Sequence, residues 1–88
     1  MSWRVEFTPR AEKDIERLST KDQRRILDFL LRRVSVHPNP RALAKRLTGL
    51  KEEVWPFRVG DYRVIVRFRD SQLIVLVVEV GNRREVYR

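Results

Sequence analysis

The sequence contains no cysteine, one histidine (His37) and three glycines. Without thiols there are no disulfides, no thiolate nucleophile and no sulfur-ligated metal, which suits a reducing compartment. A single imidazole rules out a histidine-built metal site and leaves little material for a Ser–His–Asp relay. His37, beside Pro38 at the end of a helical stretch, reads as a C-terminal residue interacting with the helix dipole. Gly49, Gly60 and Gly81 do not have the spacing of a phosphate-cradling loop. Long apolar runs are missing as well. The longest, Leu73 to Val78, is far short of a membrane span, and Met1 to Glu6 has no apolar stretch of signal-peptide type. These absences lead us to expect a cytoplasmic protein that works without a metal, another cofactor or a membrane.

Among the residues present, charge stands out. Lysine and arginine number 20 against 12 acids, a net charge of +8. Only Lys13, Lys21, Lys45 and Lys51 are lysines; every other cation is arginine. Arginine's planar fork binds phosphate and carboxylate bidentately and stays charged when partly buried. The excess is larger after residue 40 than before it. A polyanionic partner, nucleic acid or an acidic protein segment, is the expectation; a basic surface without a specific target is the competing one. Eighty-eight residues, 42% of them hydrophobic, suffice for one modest core, burying roughly 60–65% of the unfolded surface. One domain over residues 1–88 is expected, with no repeat or linker.

Periodicity sets out the elements. Trp3 to Phe7 alternates apolar and charged residues, as a half-buried strand does. Thr8-Pro9 supplies an N-cap and a first-turn proline, and Ala11, Ile15 and Leu18 follow at helical spacing. Thr20 and Gln23 read as a capping box for a second helix. Its apolar stripe is Ile26, Leu27, Leu30, Leu31 and Val34, with Arg24, Arg25, Asp28 and Arg32 facing water. Pro38-Asn39-Pro40 ends it. Arg41 to Lys51 is undecided between a helical turn and an extended connection. Val54 to Val59 is strand-like, but Pro56 demotes it to an edge. After a turn at Gly60-Asp61, Tyr62 to Arg69 alternates strictly: Tyr62, Val64, Val66 and Phe68 on one face, Arg63, Ile65, Arg67 and Arg69 on the other. A turn at Asp70-Ser71 leads to Leu73–Val80, apolar enough for a central strand, and then a tail from Gly81. The expected fold is α+β: an N-terminal strand, a two-helix hairpin, then a three-strand antiparallel meander, with the helices on one sheet face. The opposite face then carries Arg63, Arg67 and Arg69.

Such a residue set suits RNA cleavage, because RNA brings its own nucleophile, the 2′-hydroxyl. The protein need only align that hydroxyl, neutralise charge on the pentacoordinate phosphorus and help protons move. DNA lacks the hydroxyl and escapes this chemistry.

Three segments carry a resemblance: Leu47-Thr48-Gly49, the run Trp55-Pro56-Phe57-Arg58-Val59-Gly60-Asp61-Tyr62-Arg63-Val64-Ile65, and Val80-Gly81-Asn82-Arg83-Arg84-Glu85-Val86-Tyr87. Together with the pattern from Phe7 to Leu18, they resemble the RelE/ParE toxin superfamily of type II toxin–antitoxin modules over essentially the whole chain. The resemblance implies a ribosome-dependent mRNA interferase, an endoribonuclease that inhibits translation. It implies Arg63 clamping the scissile phosphate, Arg83 stabilising the leaving oxygen and Tyr87 orienting the substrate. Lys51, Arg58, Arg67, Arg69 and Arg84 are the expected substrate-binding residues. Some relatives carry two lysines where this chain has Val54 and Pro56, and many carry a histidine where it has Asn82. The implied partners are a RelB-like antitoxin, bound in a hetero-oligomeric complex, and the ribosome with its mRNA. The ParE-like branch, which inhibits DNA gyrase without cutting RNA, is the alternative, as is a catalytically weakened homologue that still binds antitoxin.

Overall fold

The computed structural model describes residues 2–44 and 53–82. Its main elements are β1 (Arg4–Phe7), α1 (Pro9–Glu16), α2 (Thr20–Phe29), β2 (Trp55–Val59), β3 (Tyr62–Arg69) and β4 (Ile74–Asn82). The α+β order is the one the periodicity predicts.

Helix α1 starts as expected. Thr8 is extended, its Oγ1 accepts from the Ala11 amide at 3.1 Å, and Pro9 follows in the first turn. Ala11 and Ile15 are buried. The cap of α2 differs from the expectation. Ser19, not Thr20, is the N-cap, accepting from the Asp22 amide at 3.2 Å. Gln23 instead donates to the Leu18 carbonyl at 2.9 Å, so the expected Thr20/Gln23 capping box does not form. The apolar stripe is also narrower than predicted. Ile26, Leu30 and Val34, four residues apart, are buried, while Leu31 is 55% exposed. Past Phe29 the helix widens into a π-helical turn, Leu30–Val34, in which the Ser35 amide donates to the Leu30 carbonyl at 2.9 Å. A short 3-10 turn, Pro40–Leu43, takes in the start of the undecided segment; residues 45–51 of that segment lie outside the described residues.

The sheet has the order β1-β4-β3-β2. Strands β2, β3 and β4 make the antiparallel meander, and β1 joins the free side of β4 in parallel, Arg4 against Ile74 through Phe7 against Val77. Strand β4 runs to Asn82, so Gly81 and Asn82 belong to it and not to a tail. Between β3 and β4 the register slips: Ile65 faces Glu79 while Val66 faces Val77, leaving Val78 as an extra, bulged residue.

Helix α1 ties down β4 where β1 ends. Thr8 Oγ1 donates to the Val78 carbonyl at 3.3 Å, and Asp14 Oδ2 accepts from the Val80 amide at 3.1 Å. Side chains thus satisfy the backbone groups that a longer β1 would have paired.

The core lies between the helices and one sheet face. Phe57, Val59, Val64, Val66, Val75, Val77 and Val80 meet Ala11, Ile15, Ile26, Leu30 and Val34. Trp3, Trp55 and Phe57 each meet the Phe68 ring edge-on, with centroids 5.6, 6.1 and 6.3 Å away. The Arg41 guanidinium lies 4.6 Å from the Phe68 centroid and 5.4 Å from that of Trp55. It also forks onto Asp70 at 2.6 and 2.9 Å.

Candidate functional site

Alternation along β3 puts Val64 and Val66 under the helices and turns Arg63, Ile65, Arg67 and Arg69 to the opposite face. Cross-strand register sets their neighbours. Arg63 stands directly opposite Arg58 of β2 and, on its other side, opposite Gly81 of β4. Directly paired residues have Cα atoms about 4.5–5.5 Å apart, so the two guanidinium groups rise from adjacent points of the sheet. Gly81 adds no side chain beside Arg63.

The four predicted site arginines on β2 and β3 differ in exposure. Arg58, Arg67 and Arg69 are exposed, whereas Arg63 is half-buried, with Nε and Nη1 shielded from solvent. A shielded guanidinium acts across a lower dielectric than an exposed one, so its pull on an anion is stronger. The helix-free face is also less uniformly polar than the alternation predicts. Ile65 is 6% exposed, and Pro56, its β2 partner, is fully buried. Some relatives carry lysine at the Pro56 position; here that spot is apolar and enclosed. Val54 is half-buried. Of the eight predicted site residues, Arg58, Arg63, Arg67 and Arg69 share two neighbouring strands. Lys51, Arg83, Arg84 and Tyr87 lie outside the described residues.

A second basic feature flanks the first. A groove of about 400 Å³ separates α2 and its π-helical turn from the β2–β3 turn, lined by Arg25, Arg32, Arg33 and Arg58, with Asp28, Phe29, Val59 and Gly60. Arg33 sits 5.5 Å from the centre of the Phe29 ring. Gly60, at φ +60°, leaves room that Arg25 fills: a Cβ there would lie 2.9 Å from Arg25 Nη1. Sequence reasoning placed Arg25 and Arg32 on the wet side of α2, seven residues apart on one face. The turn beside them lies 35 residues beyond Arg25 in the chain, a proximity that helical spacing does not reveal.

Groups that titrate abnormally sit beside these features. Tyr62 donates to Asp22 Oδ2 at 2.7 Å, pinning β3 to the start of α2, and that bond pushes the phenol above its ordinary value. The fork from Arg41 holds the Asp70 carboxyl below the ordinary carboxylate value. Among the described residues no group of three or more His, Asp or Glu could hold a metal ion, and no helix is long and apolar enough to cross a membrane.

Comparison with known proteins gives these features a family setting. A model of the ParE toxin of type II toxin–antitoxin systems matches residues 5–87. Toxin RelG of Mycobacterium tuberculosis is 27% identical, with the alignment covering 100% of this chain and 99% of RelG. Among solved structures, the toxin–antitoxin complex RelBE2 from Mycobacterium tuberculosis contains a chain that superposes with a TM-score of 0.82 at 24% identity, covering 97% of this chain and 95% of that one. The archaeal RelE–RelB complex from Pyrococcus horikoshii OT3 gives 0.74 at 25% identity, covering 98% and 100%.

Proposed function

Because the chain belongs to the ParE toxin family of type II toxin–antitoxin systems, within the RelE/ParE superfamily, we propose that it is a metal-independent endoribonuclease that cuts mRNA on the ribosome. The observation that carries this is the cross-strand pair Arg58–Arg63 on the helix-free face, Arg63 shielded and Arg67 and Arg69 exposed along the same strand. Two guanidinium groups on neighbouring strands offer a scissile phosphate forked donors from both.

In this mechanism the RNA 2′-oxygen attacks the adjacent phosphorus and the bond to the 5′-oxygen breaks. A cyclic phosphate and a 5′-hydroxyl result. The hydroxyl proton leaves to a base and the departing oxygen takes a proton. Arg63 clamps the phosphate and neutralises its developing charge, Arg83 stabilises the leaving oxygen and Tyr87 orients the strand. Val54 and Pro56 cannot supply a base, so proton removal falls to another group. Arg67, Arg69, Arg84 and Lys51 hold flanking phosphates. A RelB-like antitoxin is the expected inhibitor; the two solved structures compared above are toxin–antitoxin complexes.

A second reading has its own support. The matching family model is that of the ParE toxin, and the apolar Val54 and Pro56 remove the lysines that some RNA-cutting relatives use. A ParE-like gyrase inhibitor needs neither. Two assays separate them: mapping mRNA ends in translating ribosomes with the wild type and Arg83→Ala, and measuring gyrase supercoiling. Codon-phased cleavage lost in Arg83→Ala supports the nuclease. Intact transcripts with blocked supercoiling establish the inhibitor instead.

A further inference from the structure

We propose that the groove between α2 and the β2–β3 turn is a second phosphate-binding site, which takes the backbone of a single-stranded RNA running on from Arg63. This rests on the RNA-cutting function proposed above and extends it to residues that no motif indicates.

Three observations converge. First, the groove is lined by four arginines, Arg25, Arg32, Arg33 and Arg58, and by one acid, Asp28. A cleft lined by one sign of charge concentrates potential beyond what the same charges produce on an open surface. Asp28 does little to offset this, since its contact with Arg32 is a loose 3.9 Å pair between exposed side chains. Second, the groove and the candidate site share a residue. Arg58 lines it and is also the direct cross-strand partner of Arg63. Strand β2 is the edge of the sheet, so a polyanion held at Arg63 has one residue to cross before it enters the groove. Third, the turn is shaped to admit this. Gly60 has no Cβ, and the Arg25 guanidinium occupies the space one would fill, which brings α2's cation against the turn.

The ligand class follows from geometry and charge. Forked arginines suit phosphate oxygens, and the exposed, elongated approach from Arg63 suits a flexible chain with regularly spaced anions. An acidic peptide is the competing occupant. It would gain most by adding a strand along the β2 edge, and Pro56 removes one amide from that edge.

The test uses the full chain and an uncleavable probe, a short single-stranded 2′-O-methyl RNA labelled for anisotropy. Binding is measured across a salt series for the wild type, Arg32→Gln, Arg32→Lys and the double variant Arg25→Gln/Arg32→Gln. The slope of log affinity against log salt should shrink by about 0.7 for Arg32→Gln and about 1.4 for the double variant, one lost phosphate contact each. Arg32→Lys should keep the wild-type slope. Arg32 is exposed and outside the core, so Arg32→Gln should keep the wild-type melting temperature and report on binding alone. Unchanged slopes in both glutamine variants overturn the inference. So do variants that bind the RNA normally but lose a poly-glutamate peptide, which would assign the groove to an acidic protein segment. Failure of the nuclease function reads out separately, as intact transcripts in wild-type-treated ribosomes.

Discussion

Arg63 and Arg67 are four residues apart on the same strand, yet only Arg63 combines a shielded guanidinium with a like-charged partner directly across the sheet. Truncating each should therefore have different consequences. Arg63→Ala is expected to lower ribosomal mRNA cleavage by at least 100-fold, the scale of removing one transition-state charge donor. Arg67→Ala should act mainly on binding and its salt slope. End-mapping kinetics at saturating and limiting protein distinguish the two. Tyr62 supports a pH prediction. Its phenol is raised by the bond to Asp22, so the folded state favours the protonated form. The stability this contributes is whole below the ordinary tyrosine range and disappears as pH climbs through the raised folded value. Tyr62→Phe should lose that alkaline dependence, seen as a flatter melting-temperature profile above neutral pH. Gly60→Ala should cost about 1–2 kcal/mol because of the left-handed φ. The nearby Arg25 tip can swing aside, so the clash itself adds little.

At the scale of elements, α1 is both a core helix and a substitute edge for β4. Asp14→Ala would leave the Val80 amide without its acceptor, at a cost of about 1–3 kcal/mol. Asp14→Asn keeps an acceptor oxygen and should lose much less, measured by denaturant midpoint. The helices were legible because caps and stripes are local. Thr8-Pro9 announces α1 unambiguously. At α2 the adjacent Ser19 and Thr20 compete for one cap, and the serine wins with Asp22 three residues on. The π-helical turn at Leu30–Val34 has no comparable signal, so periodicity alone predicts a stripe one row too wide at Leu31. Alternation identified β3 and its arginines, but a period of two carries no information about which strand lies next door. The parallel docking of β1 on β4, the bulge at Val78 and the approach of Arg25 to the β2–β3 turn all follow from long-range packing. The groove was invisible for that reason, while Arg63 was not.

For the whole molecule, Arg41 and Asp70 fasten the 3-10 turn after α2 to the β3–β4 connection over the Trp55 and Phe68 rings. The Asp70 carboxyl is depressed, so this fastening contributes fully above the ordinary carboxylate range and is lost as pH falls through the lowered folded value. The exposed setting keeps the effect modest. Asp70→Asn should show a shallower loss of melting temperature in acid than the wild type. The sheet's wiring has a further consequence, for synthesis. The first strand to be made, β1, can dock only on β4, the last of the described strands, and distant pairing of this kind makes folding slow. A nascent chain still lacking Ile74–Asn82 has both helices and the β2–β3 hairpin, but nothing to hold β1 in the sheet. The fold, and with it any activity that depends on the whole sheet, is thereby complete only once the last described strand has been synthesised.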